Sequence, residues 1–332
     1  MERGESAGGQ RVIAVVIPCY RVSKHVLDVI AAIGPECGAI FVVDDACPES
    51  TGDVVERECR DPRVRVLRNA RNEGVGGATL AGYRAALEAG ADVIVKLDGD
   101  GQMDPRLVPR LVRPLLEGEA DYAKGNRFFD LEGLSAMPRL RLVGNSLLSF
   151  ACKLSSGYWN VFDPNNGFTA IHAAVARALP LDRIARGYFF ESDVLFRLGV
   201  LRAVVCDVPM PARYGEEPSS LRIRRAVFEF AAGHARNTVK RVFYNYYLRN
   251  FNVASIELAL GPVLMACGGW FGARRWLEGI ESNVAQTSGT VMLAALPVIL
   301  GFQLVLAALG YDLQNVPREV LHRRLTAGPE AP

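Results

Sequence analysis

The sequence has few of the residues that build metal–thiolate centres or disulfide frameworks. Its seven cysteines are dispersed without a C-x-x-C pair and its four histidines are isolated, so we expect neither a zinc site nor disulfide bonds. Only 22% of the 332 residues are charged and the formal net charge is +2, which argues against a nucleic-acid-binding protein. The first ten residues contain no apolar run, so we expect no cleaved signal peptide and a soluble part in the reducing cytoplasm.

The sequence is rich in hydrophobic residues, which make up 50% of the chain and exclude a disordered protein. The predicted strands are Val12–Ile17, Ile40–Asp44, Val64–Arg68, Asp92–Leu97, Ala120–Gly125, Gly167–His172 and Ala203–Val208. The predicted helices are Val22–Ile33, Ser50–Arg60, Gly76–Ala89, Pro105–Glu117, Pro138–Ser155 and one that starts near Phe189. This alternation predicts an α/β domain with a parallel sheet, in which ligands bind at the carboxyl ends of the strands.

The last third contains two long segments without a charged residue. Leu258–Ala273 has 16 such residues and Ser282–Tyr311 has 30. The second exceeds the ~20 residues that a helix needs to cross a bilayer. The first is shorter, so a buried core helix is its alternative, but glycines and terminal aromatic residues favour a transmembrane hairpin. Basic residues flank both outer ends and place them in the cytoplasm.

A basic stretch precedes this hairpin. Residues 213–250 carry eight Lys and Arg against three Asp and Glu, with aromatic residues interleaved. Basic amphipathic helices of this kind lie in the headgroup plane of an anionic membrane. The alternative is a solvated helix that packs on its own domain. Its position before an apolar hairpin favours the membrane surface.

The strongest chemical signal is Asp98-Gly99-Asp100-Gly101-Gln102, directly after an apolar strand. Two carboxylates one residue apart repel each other unless a cation lies between them, and hard oxygen ligands suit Mg²⁺ or Mn²⁺. Such an ion bridges a diphosphate and neutralises charge on a leaving group. The alternative is a turn that begins a helix at Pro105 with Asp104 as its N-cap, but this leaves Asp98 and Asp100 unexplained.

Asp44 and Asp45 end the second predicted strand, where a carboxylate can accept hydrogen bonds from a nucleoside. Alternatively, an acid here belongs to the start of the helix near Ser50, a role that suits Asp45 better than Asp44. Arg68–Gly77 opens the next helix, and its glycines let the backbone approach a ligand. A dehydrogenase fingerprint is disfavoured, because this glycine run follows the third strand rather than the first.

Five short motifs carry a resemblance to a known family. They are Val16-Ile17-Pro18-Cys19-Tyr20, Val43-Asp44-Asp45, Asn72-Glu73-Gly74, Asp98-Gly99-Asp100-Gly101-Gln102 and Gly125-Asn126-Arg127. Together they resemble the inverting family 2 glycosyltransferases with a GT-A fold, and more narrowly the dolichol-phosphate mannose synthase-like polyprenyl-phosphate glycosyltransferases. The resemblance covers residues 12–215 and implies an α/β fold class: a Rossmann-like, mixed-sheet GT-A domain followed by an α-helical transmembrane hairpin.

The resemblance implies a role for each matching residue. The nucleotide-sugar donor is expected at Pro18, Tyr20, Asp44, Asp45, Asn72, Gly74, Asp98 and Arg213. Mg²⁺ or Mn²⁺ is expected at Asp98, Asp100 and Gln102. The phosphate of the lipid acceptor is expected at Arg127, Arg139, Arg141 and Ser146. The implied catalytic residues are Asp100, Arg127, Glu191 and Asp193.

Two segments depart from the family pattern. After Arg213 the sequence reads Gly215-Glu216-Glu217-Pro218 and lacks the lysine that relatives often carry. The segment Asp163-Pro164-Asn165-Asn166-Gly167-Phe168 stands where the family usually has Asp-x-x-Ser/Thr-Gly-Phe. The second departure concerns the part of the site expected to recognise the sugar.

Glu191 and Asp193 match the acidic pair that many family members place at the acceptor. A carboxylate base suits a hydroxyl nucleophile, whereas a phosphate acceptor is ionised at neutral pH and needs no base. For a lipid-phosphate acceptor we therefore assign the pair to positioning. The alternative is an exposed helix start with two acids near its positive end.

We therefore expect a membrane-anchored, metal-dependent enzyme that moves one sugar from a nucleotide-sugar to a polyprenyl phosphate with inversion. The expected segments are a GT-A domain (11–215), basic juxtamembrane helices (216–250), two transmembrane helices (251–312) and a cytosolic tail (313–332). The expected partners are the donor, the lipid acceptor, the membrane and, as an open option, further copies of the chain. The expected location is the cell membrane, multi-pass, with the catalytic domain in the cytoplasm.

Two alternatives stay open. In the first, the acceptor is a glycan or lipid hydroxyl, and Glu191 or Asp193 is an essential base. In the second, the chain is a catalytically idle, membrane-anchored nucleotide-binding scaffold, against which the repelling pair Asp98 and Asp100 argues. A processive polysaccharide synthase is disfavoured, because Arg275-Trp276 lacks the preceding Gln of the Gln-x-x-Arg-Trp motif and lies between the two spans.

Overall fold

The computed structural model describes residues 11–129, 139–211 and 223–327. The chain forms two compact units. One, the sheet unit, comprises the chain up to Thr238 together with the residues from Pro317 onward, and the other, the hairpin unit, comprises Val239–Val316. Of the described residues after residue 211, 223–238 and 317–327 fall in the sheet unit.

Strands of the described residues form one seven-stranded sheet in the sheet unit. Their bounds are β1 Ile13–Cys19, β2 Cys37–Asp44, β3 Val64–Arg68, β4 Val93–Lys96, β5 Tyr122–Asn126, β6 Thr169–His172 and β7 Val205–Pro209. The spatial order is β3-β2-β1-β4-β6-β5-β7. β6 runs antiparallel to both neighbours, whereas the other pairs are parallel. The mixed-sheet α/β fold class implied by the resemblance is therefore confirmed, whereas the antiparallel β6 departs from the parallel sheet that the strand–helix alternation predicted.

Helices cover the sheet and connect its strands. In the sheet unit they are α1 Val26–Ala31, α2 Thr51–Glu58, α3 Gly74–Glu88, α4 Val108–Leu116, α5 Arg139–Ser156, α6 Ala173–Ala178, α7 Phe190–Leu201, α8 Ile223–Val242 (which runs on into the hairpin unit) and α11 Leu321–Thr326. Short 3₁₀ turns occupy Pro105–Leu107, Arg127–Phe129 and Leu181–Arg183. α1 is shorter than the sequence predicted, because Arg21 adopts a positive φ of 59° and the next residues form turns.

The central strands form the core. Every residue of β1 and β4 is buried, as expected for strands that are covered by helices on both faces. The register aligns Cys19 with Asp44 and Asp44 with Arg68, so β1, β2 and β3 end at one edge of the sheet. β4 ends beside β1, with Lys96 opposite Val16. Asp44, Asp45 and the Asp98 motif therefore follow neighbouring strand ends.

The hairpin unit contains a short π-helix (Phe243–Arg249) and the two longest helices of the described residues, α9 (Val253–Ser282) and α10 (Ser288–Gln314). By length and composition α9 and α10 can cross a membrane, and only 22% and 11% of their most apolar windows are buried within the protein. Low burial disfavours the core-helix alternative, since an apolar core helix would be covered by protein. α9 includes Glu257 and begins before the uncharged segment Leu258–Ala273.

The chain after the hairpin returns to the sheet unit. α11 is anchored by the buried carboxylate of Asp121, which accepts hydrogen bonds from the backbone N–H groups of Leu321 (2.8 Å) and His322 (2.7 Å). The His322 ring also contacts Asp121 (Nδ1–Oδ1 2.8 Å) and stacks on His172 with 4.0 Å between ring centroids. Part of the expected cytosolic tail is thus an integral element of the sheet unit.

Candidate active site

The Asp98 motif forms a turn at the carboxyl end of β4. Gly101 adopts a φ of +76°, which favours glycine. The Asp100 carboxylate accepts a hydrogen bond from the Gln102 backbone N–H (2.9 Å), and Asp98 and Asp100 are half-buried. Asp104 accepts from the backbone N–H of Arg106, which confirms its predicted capping role. Capping by Asp104 therefore does not account for Asp98 and Asp100.

Lys96 lies directly beneath this motif and was not singled out from the sequence. Its fully buried ammonium is 2.7 Å from Asp98 Oδ1 and 3.0 Å from Glu191 Oε1. Burial disfavours the charged ammonium, but the Asp98 and Glu191 carboxylates outweigh it and hold the pKa of Lys96 above its usual value. A lysine within an otherwise apolar strand was the signal that could have identified it, because a buried charge requires partners.

The oxygen donors of the motif fit a hard divalent cation. Asp98, Asp100 and Gln102 offer carboxylate and amide oxygens, the ligands that Mg²⁺ and Mn²⁺ take. Among the residues that the structure describes, no group of three or more His, Cys, Asp and Glu side chains could hold a metal ion by itself. A cation here would therefore complete its coordination with water and substrate oxygens, as Mg²⁺ does in phosphate-binding sites.

The carboxylates of Asp44 and Asp45 are both buried, and each accepts backbone hydrogen bonds. Asp44 accepts from the N–H groups of Cys47 (2.7 Å) and Gly52 (2.6 Å), so it organises the start of α2. Asp45 accepts from Glu73 N–H (2.9 Å) and Gly74 N–H (2.8 Å) at the start of α3. The sequence favoured Asp45 for the α2 start, and the structure assigns that role to Asp44. Both aspartates shape the loops at this edge of the sheet.

The glycines at the start of α3 fit against protein rather than open space. A Cβ on Gly74 would lie 2.7 Å from the Arg186 carbonyl oxygen, and one on Gly76 would lie 2.6 Å from that of Ala185. The Gly77 N–H donates to the Arg186 oxygen at 3.1 Å. From the sequence we expected these glycines to let the backbone approach a ligand. In the structure, the chain immediately before α7 occupies that space instead.

Arg127, at the carboxyl end of β5, is held by Asp163. Its guanidinium donates two hydrogen bonds to that buried carboxylate, Nε–Oδ2 at 2.8 Å and Nη2–Oδ1 at 3.1 Å. The neighbouring Asn126 donates to Asp207 at 2.6 Å, and burial raises the pKa of Asp207. The ion pair with Arg127 gives Asp163 a defined contact that the sequence did not predict. Asp163 lies in the segment that departs from the family pattern.

The acidic pair on α7 faces two different groups. Glu191 contacts Lys96, which joins α7 to the Asp98 motif. Asp193 instead accepts hydrogen bonds from Ala185 N–H (2.9 Å), the Arg197 guanidinium (3.0 Å) and Asn237 (3.0 Å). The structure therefore brings Glu191 to the Asp98 motif, while Asp193 holds α7 to its neighbours.

The remaining predicted site residues lie at several places. Pro18 is buried at the end of β1 and Tyr20 is exposed beside it. The Asn72 side chain accepts from Gly74 N–H at 3.1 Å. Ser146 lies exposed on α5; the backbone of Arg139 and Arg141 lies in the same helix, but their side chains, and all of Arg213, fall outside the described residues.

Comparison with known families shows the family of this chain. The model of the family described as "Glycosyl transferase family 2" matches residues 14–179, which span β1 to α6 and include the Asp98 motif. The chain belongs to glycosyl transferase family 2. The family resemblance carried by the five motifs is thereby confirmed, and with it the expectation that this chain is a glycosyltransferase.

Three curated relatives of this family 2 glycosyltransferase are named for lipid-phosphate acceptors. Undecaprenyl-phosphate mannosyltransferase of Micrococcus luteus is 36% identical over 52% of this chain and 70% of its own. Polyprenol monophosphomannose synthase of Mycolicibacterium smegmatis is 29% identical over 68% and 88%. UDP-N-acetylglucosamine–dolichyl-phosphate N-acetylglucosaminyltransferase of Methanococcus voltae is 28% identical over 62% and 87%.

Solved structures support the fold. Glucosyl-3-phosphoglycerate synthase from Mycobacterium tuberculosis, in its complex with Mn²⁺ and UDP-glucose, superposes with a TM-score of 0.52 and 21% identity over 73% of this chain and 84% of its own. The same enzyme with phosphoglyceric acid gives a TM-score of 0.52 over 70% and 80%. The predicted GT-A fold of this family 2 glycosyltransferase is confirmed, and two long apolar helices follow it.

Proposed function

We propose that this family 2 glycosyltransferase transfers one sugar from a nucleotide-sugar to a polyprenyl phosphate at a membrane, with inversion at the anomeric carbon. The observation that carries the proposal is the combination of relatives named for undecaprenyl, polyprenol and dolichyl phosphates with two apolar, exposed helices in this chain. A lipid-linked acceptor is present only at a membrane, which is where such helices hold an enzyme.

The donor lies, in this proposal, at the edge formed by β1, β2 and β4. The loops organised by Asp44 and Asp45 form the nucleoside side, with Pro18, Tyr20, Asn72 and Arg213 as further donor residues. Asp98, Asp100 and Gln102 would hold Mg²⁺ or Mn²⁺, and the bound ion would neutralise charge on the departing nucleoside diphosphate. The oxygen-rich donor set supports this, as does the Mn²⁺ named in the complex of a protein with the same fold.

The acceptor phosphate is placed at Arg127 with Arg139, Arg141 and Ser146. Arg127 is already oriented by Asp163, so its guanidinium needs little ordering when a phosphate arrives. The phosphate oxygen is ionised at neutral pH and attacks without a base. The engagement of Asp193 by three donors supports a positioning role for it, and it argues against the hydroxyl-acceptor alternative that would use Asp193 as a base.

The membrane arrangement follows from the connectivity of the chain. The chain leaves the sheet unit through α8, passes through α9 and α10, and re-enters the sheet unit at α11. A hairpin that crosses the membrane twice would leave both of its ends on the same side of the membrane. We propose a hairpin that crosses the cell membrane twice, with the sheet unit in the cytoplasm, where basic residues flank the spans.

The test is sugar transfer by the full chain in detergent. Radiolabelled nucleotide-sugars are supplied with Mg²⁺ or Mn²⁺, with and without undecaprenyl phosphate or dolichyl phosphate, and Asp100→Asn is compared with Asp182→Asn. Asp182 is exposed and pairs with Arg84, so its variant controls for an altered carboxylate elsewhere. We expect labelled lipid that requires both polyprenyl phosphate and Asp100. Nucleoside diphosphate release without labelled lipid would move the acceptor to a hydroxyl, and no turnover would favour the scaffold alternative.

A further inference from the structure

The ammonium of Lys96 joins two carboxylates that come from distant parts of the sequence. Asp98 belongs to the motif after β4, and Glu191 lies in the first turn of α7, nearly a hundred residues later. Their distances to Nζ are 2.7 Å and 3.0 Å. The Lys96 side chain is 1% exposed and that of Glu191 is 8% exposed, so solvent does not compensate either charge.

The register of the strands places a second lysine, Lys124, in the same row of the sheet as Lys96. Lys96 pairs with Thr169 on β6, and Thr169 pairs in turn with Lys124 on β5, so the two lysines stand in one row across the sheet. Both are fully buried. Lys124, however, donates to the carbonyl oxygen of Asn166 rather than bridging two carboxylates. Lys96 and Lys124 are therefore equally buried, and Lys96 differs from Lys124 in its contacts with two carboxylates.

Gly167 leaves the space in which this bridge forms. A Cβ on Gly167 would lie 2.5 Å from both Asp98 Oδ2 and Lys96 Nζ. The Lys96 ammonium also lies 3.5 Å from the Gly167 carbonyl oxygen. Because Lys96 takes Oδ1 of Asp98 and Gly167 lies against Oδ2, the position of the Asp98 carboxylate is fixed on both sides.

We propose that Lys96 is a positioning residue that fixes the Asp98 carboxylate for the cation and transmits the charge of Glu191 to the cation site. This inference rests on the proposed function, since that function places Mg²⁺ or Mn²⁺ at the Asp98 motif. One ammonium between two carboxylates leaves a net charge of −1 that favours cation binding. When the charge of Glu191 is removed, the Lys96 ammonium pairs with Asp98 alone. The net charge of −1 is then lost.

The experiment is a double-substitution cycle on the full chain in detergent. Its variants are Lys96→Met, Glu191→Gln and the two combined, with Lys124→Met as the control for removal of an equally buried lysine. Mn²⁺ binding is followed by electron paramagnetic resonance of free Mn²⁺, with UDP or GDP present, so the readout does not depend on turnover. Thermal unfolding of each variant is recorded alongside.

We expect Glu191→Gln to weaken Mn²⁺ binding about tenfold, which is the effect of removing one partly screened charge near the cation. Adding Lys96→Met to Glu191→Gln should strengthen Mn²⁺ binding again, because the uncompensated ammonium is gone. Lys96→Met alone should lower sugar transfer roughly 100-fold, as a misplaced site group does. Lys124→Met should change Mn²⁺ binding less than Lys96→Met does, even where the two lower the unfolding temperature equally.

The comparison of Glu191→Gln with the combined variant decides the inference even if Lys96→Met alone does not fold. Equal or weaker Mn²⁺ binding in the combined variant would overturn it, as would a Lys96→Met protein that behaves like Lys124→Met. Absence of Mn²⁺ binding to the unaltered protein would also contradict it. Unaltered protein that shows the expected cycle but transfers no sugar would instead contradict the proposed function and leave the inference standing.

Discussion

The guanidinium of Arg127 and the carboxylate of Asp163 form a two-point hydrogen-bonded pair at the carboxyl end of β5. Asp163 is nearly inaccessible, with 5% of its side chain exposed, whereas Arg127 retains 29% exposure. The pair therefore holds an arginine whose side chain stays partly accessible to solvent. Such a group binds a phosphate with little loss of conformational freedom.

Asp163→Asn tests this orientation. The variant keeps the shape of the side chain but removes the charge that holds Arg127. We therefore expect the KM for polyprenyl phosphate to rise about tenfold, which corresponds to the free energy of one charge-assisted hydrogen bond. The KM for the nucleotide-sugar should stay nearly constant. Asp61→Asn is the matched control, because Asp61 pairs with the half-buried Arg63 outside the proposed site. An equal change of both KM values in Asp163→Asn would contradict a role at the acceptor.

Sequence patterns located the strand ends well, because hydrophobic runs and turn residues are local signals. β3 has the predicted bounds, and the Asp104 cap was predicted correctly. The partners of the site residues were not predictable, because Lys96 and Glu191, or Arg127 and Asp163, are far apart in sequence. Asp44 and Asp45 show the same limit: their backbone partners depend on how two separate loops fold back toward β2.

The anchoring of α11 gives a second prediction. Asp121 accepts backbone hydrogen bonds from Val204, Leu321 and His322 and one from the His322 ring, and Asp121→Ala removes all four. We expect this variant to lose about 1–3 kcal/mol of stability, the cost of unsatisfied buried donors. Faster hydrogen exchange at residues 321–326 checks it, with Asp182→Ala as an exposed control. Unchanged exchange at α11 would show that other contacts hold the helix.

The buried His234 and the half-buried His172 predict how stability depends on pH. Burial lowers the pKa of His172 to about 4, aided by the neighbouring His322, and burial lowers that of His234 to about 4. Both rings are therefore neutral in the folded state, while the unfolded chain takes up protons near its ordinary pKa of 6.5. The free energy of unfolding should be constant above that pH and fall as pH decreases from 6.5 toward 4.

The pH effect is measured as the unfolding temperature of the full chain between pH 8 and pH 5. His234→Phe should reduce the loss on acidification, because one of the two proton-linked groups is gone and the ring lies in an aromatic contact with Phe189 at 4.9 Å. An unfolding temperature that rises on acidification would contradict the assignment of neutral rings.

α9 and α10 pack closely against each other at two glycines, Gly261 and Gly301. A Cβ on Gly301 would lie 2.5 Å from the Gly261 carbonyl oxygen, and one on Gly261 would lie 2.9 Å from the Gly301 carbonyl oxygen. Small residues allow helix backbones to pack this closely in lipid. Gly301→Leu must therefore separate the two helices, and we expect a loss of about 1–3 kcal/mol, as for overpacking of a core.

Gly269→Leu is the matched control for this prediction. Gly269 lies on α9 as well, but its Cβ would meet no atom within 4 Å, so the same added side chain faces open space. Thermal unfolding of both variants in detergent should show a lowered transition for Gly301→Leu and a nearly unchanged one for Gly269→Leu. Equal loss in both would mean that the added side chain acts through lipid or detergent contact rather than through the helix pair. A lowered transition for Gly301→Leu alone would show that the two helices pack as a hairpin through these glycines.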